Sequence, residues 1–276
     1  MLPTMVIAVI CSYVVMVLSN VLASKKAFGG KDNKQISDEH PTFVSPDGPT
    51  FAIWGIIYLF ETVTVIAQAF PSDSTEELLG QRCPLTGLDV RERLVAAFLT
   101  NAIWLPVFNN ERFWSALVIM VVYLGFLLGI YTDVNVTTTT GIYDRLCFVT
   151  GITMNASWIV VATMVNTFFC LGEVGWKDEH GAAGSVPAAI LAVVVVAVLG
   201  AGMALVRCEL AWAFVSAWAL RGIFRMQTVP DKVRFPLASM SSTLGSCARW
   251  CSWGVVLTMV VGVGYAVAVR KGLKLA

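Results

Sequence analysis

VPAAILAVVVVAVLGAGMALV, residues 186–206, is the stretch whose reading decides the fold. It carries no charged side chain and is built almost wholly of Ala, Val and Leu. A hydrocarbon core about 30 Å thick takes about 20 such residues as a helix. A helix closes its own backbone hydrogen bonds, which lipid cannot do for it. Similar runs recur on both sides. Pro3–Ala23, Phe113–Tyr131, Leu146–Gly172 and Cys251–Val269 are uncharged, and Pro49–Phe70 holds a single charge, Glu61. Two shorter runs, Leu94–Phe108 and Leu210–Phe224, complete a series of eight, the latter with Arg221 inside it. Of 276 residues, 57% are hydrophobic and 13% charged, with a mean hydropathy of +0.74, against about a quarter charged in soluble domains. The predicted fold class is all-α: a polytopic transmembrane helical bundle of about eight helices. The chain is an integral, multi-pass protein in a membrane the sequence does not name.

Composition also excludes functions. A net charge of +1 provides no broad basic surface for nucleic acid. Most of the seven Cys lie in or beside apolar runs, where Cys behaves as a small hydrophobe. Cys247 and Cys251 stand four apart, but no His or further Cys is near enough in sequence to complete a metal site. The two His, His40 and His180, fall in loops. There is no nucleophile–base pair, no metal cluster and no phosphate loop, so no catalytic residue, metal or cofactor is assigned; the chain reads more as a binding protein than as an enzyme, and an enzyme that degrades a bound pigment stays open as a third reading. The first run is read as a retained span: no basic residue precedes it, and it exceeds the ~7–15-residue core of a signal peptide. Lys and Arg are in slight excess in the odd-numbered loops, which mildly places those loops in the cytosol. A glycosylation sequon at Asn135 sits in the fourth loop, and one at Asn155 falls inside a span.

Three runs carry polar and aromatic residues at helical spacing. Phe51, Trp54, Tyr58 and Glu61 follow i, i+3, i+7, i+10. Asn101, Trp104 and Phe108 follow i, i+3, i+7, and Asn155, Trp158, Ala162 and Asn166 follow i, i+3, i+7, i+11. Each set shares one helix face. Amides and a carboxyl are costly to turn toward lipid, so these faces should point into the bundle. Together they would wall an aromatic chamber with a few polar groups, the general description of a small-molecule pocket. The alternatives are that the indoles are interfacial anchors and that the amides bridge helices; periodicity alone does not separate these. Glu61, three turns into its run, is a candidate proton or cation site. Asn109-Asn110-Glu111-Arg112 reads as a tight turn with solvated charges.

At these residues the chain resembles the tryptophan-rich sensory protein/translocator protein family, also called the peripheral benzodiazepine receptor family. Phe51-Ala-Ile-Trp54-Gly-Ile-Ile-Tyr58 is similar to its second-helix motif. Asn101-Ala-Ile-Trp104-Leu-Pro-Val-Phe108, with Arg112 and Ala116-Leu117, resembles the third-helix motif and the turn after it. Trp158 to Asn166 resembles the fifth-helix motif. The likeness is nearest to a longer branch with extra C-terminal helices. Asn20, Ile36-Ser37-Asp38, Pro41, Pro46 and Gly48 look like that branch's first-loop pattern, and Glu209, Trp218-Ala219-Leu220 and Gly222-Ile223 like its seventh helix. The resemblance covers about residues 5–225.

What the resemblance implies is a five-helix bundle over residues 1–172; the apolar runs that follow read as three further transmembrane helices with a Ser-rich loop over 173–276. It also implies a pocket lined by Trp54, Asn101, Trp104, Trp158 and Asn166, in a family associated with tetrapyrroles, sterols and synthetic aromatic ligands. Pro49-Thr50 stands where short members have a Trp, which removes a stacking surface for a planar ring. The expected function is a membrane receptor or binding protein for a small apolar, ring-containing ligand, with a role in its transport or sensing. The alternative is a proton- or cation-coupled transporter using Glu61. A sterol-recognition pattern, Val263-Gly-Tyr265-Ala-Val-Ala-Val-Arg270, lies in the last run. Expected partners are the lipid bilayer and the apolar ligand, with no nucleic acid. Ala197, Gly200 and Ala201 permit close helix contact, within the chain or between copies in a homo-oligomer.

Overall fold

The fold is taken from a computed structural model that describes residues 4–70, 72–136, 142–179, 181–228 and 241–270. Thr137 of the first sequon, His180, most of the Ser-rich linker and the end of the sterol pattern's side chains lie outside the described residues. The helices are α1 (Thr4–Ser24), α2 (Asn33–Glu39), α3 (Ile53–Ala67), α4 (Asp73–Leu79), α5 (Val90–Asn109) and α6 (Phe113–Val136). After them come α7 (Ile142–Asp144), α8 (Thr150–Glu173), α9 (Val186–Arg207), α10 (Leu210–Thr228) and α11 (Ser242–Arg270). A 3-10 turn, Gly48–Ala52, leads into α3, and a π-helical turn, Arg145–Val149, leads into α8.

Six of these helices are long and apolar enough to cross a bilayer: Thr4–Ser24, Gly48–Ala67, Phe113–Val134, Arg145–Glu173, Val186–Arg207 and Ser242–Tyr265. The chain is an integral, multi-pass membrane protein. The two shortest predicted runs form α5 and α10, helices of 20 and 19 residues whose ends carry charge. Outward faces are apolar. Leu18 and Leu59 are 55% and 62% exposed, an arrangement suited to acyl chains and unsuited to water.

By contacts the chain divides into two compact units. The first takes in Met1–Ile36 and Trp54–Ile159, the second Ser37–Ile53 and Val160–Ala276. In the first unit α5 packs against both α1 and α6. The buried stripe of α1 is Val6, Val9, Tyr13 and Met16, and Ser19 Oγ donates to the Ala102 carbonyl at 2.9 Å. The start of α5 is secured by a capping box, Asp89 with Glu92. Its two arginines are neutralised inside the unit. Arg91 forms a two-pronged pair with Glu76 at 2.8 and 2.7 Å, and buried Arg93 meets Asp133 of α6 at 2.6 Å. The turn after α5 differs from the expectation of solvated charges. Glu111 pairs with Lys31, and Asn109 Nδ2 donates to the Lys31 carbonyl at 2.9 Å, so this turn is tied to the loop after α1.

In the second unit α9, α10 and α11 pack on one another. Gly200 is one of the contact points: a Cβ there would stand 2.7 Å from Ser216 Cβ. Gly200 thus serves a close helix contact within the chain. Gly222 of α10 is a tighter case, since a Cβ there would collide with the Thr50 hydroxyl. Trp218 Nε1 donates to the Thr50 carbonyl at 2.8 Å, and Gln227 Nε2 donates to the Phe43 carbonyl at 2.9 Å. The Cys247 and Cys251 thiols stand 4.0 Å apart along α11.

Candidate functional site

The first unit gathers most of the residues singled out above. Trp54 of α3 is half-buried and stacks on Tyr58, one turn on, with ring centroids 5.3 Å apart. The same indole meets Trp158 of α8 edge-on at 6.1 Å, a favoured geometry for aromatic pairs. On α5, Trp104 stacks on Phe108 at 4.7 Å, and Phe108 in turn touches Phe113 at 5.7 Å. Trp104 is buried, and its Nε1 is among the buried atoms with no hydrogen-bond partner within the described residues.

A polar chain joins the helices that carry these rings. The Tyr58 hydroxyl donates to Asn20 Oδ1 at 2.8 Å, and Asn20 Nδ2 reaches Asn101 Oδ1 at 3.2 Å. α3, α1 and α5 are linked in that order. Asn101 is buried, and the Tyr123 hydroxyl lies within its hydrogen-bonding reach. Deeper along α3, Glu61 is only 2% exposed. Its Oε1 accepts from Asn155 Nδ2 at 2.5 Å, and the same Nδ2 donates to the Tyr123 hydroxyl at 2.6 Å. Glu61 Oε2 and Asn155 Oδ1 have no partner among the described residues. Gly151, one turn before Asn155, lets α8 come close to α3: its Cβ position is 3.1 Å from the Glu61 backbone nitrogen. A larger residue there would push the amide away from the carboxyl.

Phe51 and Asn166 are counted in the second unit. Phe51 lies half-buried in the 3-10 turn before α3, and Asn166 is buried on α8 with both amide atoms unpartnered among the described residues.

Three side chains of this network were not in the predicted stripes. Asn20 belongs to the first-loop pattern alone. Tyr13 donates to the Tyr58 carbonyl at 2.9 Å and shares a hydrogen bond with Thr62 at 2.8 Å. Tyr123 is the one polar-headed side chain between Ala116 and Ile130. An isolated hydroxyl in an otherwise apolar run is the signal that could have found Tyr123, and the polar pairs Ser12-Tyr13 and Ser19-Asn20 in the first run are the signal for the other two, because such groups need partners inside the bundle.

The comparison that bears on these helices is with protein families. The model of the TSPO-like protein family matches residues 6–261. The chain belongs to the TSPO-like family. No curated protein and no solved structure matches it. The TSPO-like match runs through all the helices from α1 to most of α11, the C-terminal helices included. For a TSPO-like chain the coarse reading is a membrane protein of ligand binding or transport.

Outside the membrane-spanning segments, three groups titrate away from their ordinary values: Glu76, Cys83 and Tyr143, whose hydroxyl is raised by the neighbouring Cys147 thiol. The Glu76 carboxyl is held low by its hydrogen bonds from Arg91. The Cys83 thiol is lowered by hydrogen bonds from Thr86 and the neighbouring backbone.

Proposed function

We propose that the protein is a membrane receptor or binding protein for a small, apolar, ring-containing molecule, of the tetrapyrrole or sterol kind. The ligand's flat faces lie against Trp54, Trp158 and Trp104, with Tyr58 and Phe108 behind the indoles. Asn101 and the Trp104 N–H supply the few orienting hydrogen bonds. The observation that carries this reading is the edge-on contact of Trp54 with Trp158 at 6.1 Å. It turns two separate helical stripes into one aromatic surface, half of which, Trp54, is incompletely covered by protein. The unspent Trp104 donor adds to it: a buried N–H without an acceptor costs about 1–3 kcal/mol, which a ligand carbonyl or carboxylate recovers. The rings provide the bulk of the affinity by area burial and edge contacts, and the donors select the ligand's orientation.

The test is a titration of the reconstituted protein with a porphyrin and with a sterol, read by quenching of Trp emission. Saturable quenching by either is expected. Quenching that rises linearly with ligand for both counts against a binding site.

A second reading is favoured by a different observation: Glu61, a buried carboxyl inside a spanning helix, has one oxygen on Asn155 and the other without a partner. A transporter that loads a proton or cation at Glu61 needs such an oxygen. Its test is vesicle transport with Glu61→Gln; transport at the unaltered rate removes the carboxyl from the mechanism.

A further inference from the structure

In the second unit α10 and α11 enclose an open groove of about 350 Å³, at the small end of the ~300–1,000 Å³ typical of ligand sites. Phe214 and Trp218 of α10 and Trp253 and Val256 of α11 line its length, and Arg221 stands at one end. Its polar floor is satisfied, since Ser252 Oγ donates to the Ala217 carbonyl at 2.9 Å. The C-terminus of α10 and the N-terminus of α11 lie together: the Ser241 N–H donates to Gln227 Oε1 at 3.0 Å. Arg221 is therefore nearer this end of the hairpin, and Phe214 and Val256 are farther from it.

Among the described residues, the charges at that end are unbalanced. Of three arginines, Arg225 is paired with Asp47 at 2.5 Å. Arg221 and Arg249 are not paired with any carboxylate among the described residues. Their guanidinium carbons lie 4.9 and 5.7 Å from the centroid of one ring, Phe224, and Arg249 also covers Trp250 at 5.2 Å. Each contact is a cation–π pair, in which the ring offers no acceptor oxygen to the guanidinium. Guanidinium groups bind phosphate oxygens in a two-pronged fashion. Trp250 and Trp253 are 66% and 57% exposed, as indoles at the headgroup level of a membrane are.

We propose that this groove binds one acidic phospholipid, its phosphate held between Arg221 and Arg249 and one acyl chain lying along Trp218, Trp253 and Val256. Charge complementarity selects the occupant. A sterol leaves both guanidiniums unneutralised, and a zwitterionic lipid brings its own cation to a site that already has two. The length of the apolar trough beyond Arg221 selects a lipid over a free phosphate. This site shares no residue with the aromatic cluster of the first unit, so either can fail alone.

The experiment uses the full chain in detergent with phosphatidylglycerol and phosphatidylcholine in equal amounts, and native mass spectrometry to read the bound lipid. Wild-type protein is expected to retain phosphatidylglycerol over phosphatidylcholine by about tenfold. Arg221→Gln with Arg249→Gln should bring that ratio near one. Val256→Trp, which fills the trough and leaves the cations, should reduce bound lipid of both kinds. Arg249→Gln alone, on an exposed helix face, is expected to lower the ratio by about threefold and stands in if the double variant does not fold. Inorganic phosphate at millimolar concentration should not displace the lipid. The proposal is overturned by equal retention of the two lipids in wild-type protein, by a preference that survives loss of the guanidiniums, or by displacement with phosphate alone.

Discussion

Replacing Asn155 with Leu removes one amide that serves two helices at once. Its Nδ2 donates to Glu61 Oε1 at 2.5 Å and to the Tyr123 hydroxyl at 2.6 Å, and the residue has no exposure to absorb the change. Glu61 is left with neither oxygen bonded, because Oε2 already lacks a partner among the described residues. A buried group stranded in this way costs about 1–3 kcal/mol in proteins generally. Between membrane helices single hydrogen bonds average nearer ~0.6 and reach ~1.7 kcal/mol, since the reference state also finds partners. Two such bonds give an expected loss of about 1–3 kcal/mol for Asn155→Leu. Glu61→Leu removes the carboxyl that most needs the amide and leaves Asn155 its Tyr123 bond, so a loss of about 1 kcal/mol is expected. With both replaced by Leu, no bare carboxyl remains, and the double variant should be less destabilised than the two losses together by about 1 kcal/mol. The assay is equilibrium unfolding in mixed micelles, followed by Trp emission, as a double-mutant cycle. Losses that add to within ~0.3–0.5 kcal/mol would refute the coupling, and with it the claim that α3 and α8 are joined through this pair.

Four further outcomes follow from particular side chains and their surroundings. Trp104→Phe keeps most of the ring and deletes the unpartnered buried N–H, so stability without ligand should hold within ~0.5 kcal/mol while ring-ligand affinity falls severalfold; a matching fall in both would make Trp104 purely structural. Gly222→Ala should destabilise by about 1–3 kcal/mol through collision with Thr50, outweighing the ~1 kcal/mol helix preference for Ala. Gly125→Ala, where nothing stands within 4 Å of the new methyl, should be neutral or stabilising by the same unfolding assay. Glu76 has its folded-state titration depressed by Arg91, so its stabilisation is present above the ordinary carboxyl range and is lost as pH falls through the folded value. The difference in thermal midpoint between wild type and Glu76→Gln should therefore be present at pH 7 and vanish as the pH falls through the depressed folded-state titration of Glu76; it should be small, because the Glu76 side chain is 46% exposed.

Most of the helical framework is legible because lipid imposes a single demand, a long and nearly uncharged run, and six of the eight runs meet it as spanning helices among the described residues. The boundaries are less so. α5 starts at Val90, ahead of the run at Leu94, and α6 continues to Val136. Charged residues there read as loop, yet Arg93 and Asp133 neutralise each other across the two helices. The short helix α4 was also missed; its start is set by Ser72 accepting from the Thr75 N–H at 3.2 Å, a local cap with no hydropathy signature. Within the aromatic stripes the faces were readable from spacing, but the partners were not. Tyr58 and Glu61 lie on one face of α3 and yet bond to different helices, Asn20 of α1 and Asn155 of α8. Spacing reports which side of a helix a residue occupies and says nothing about which neighbour arrives there. The turn at Asn109–Arg112 illustrates the same limit, since its partner Lys31 is far away in sequence.

The measurement that tests the central claim most directly is the affinity of a ring ligand for three single-indole variants of the reconstituted chain, Trp54→Ala, Trp158→Ala and Trp253→Ala. Loss of an aromatic partner worth about 0.5–1.5 kcal/mol beyond its area should weaken binding at least threefold to tenfold in the first two. Trp253→Ala, in the other unit, should bind as wild type does. Equal affinity across all three variants and wild type would contradict a binding surface built on Trp54 and Trp158.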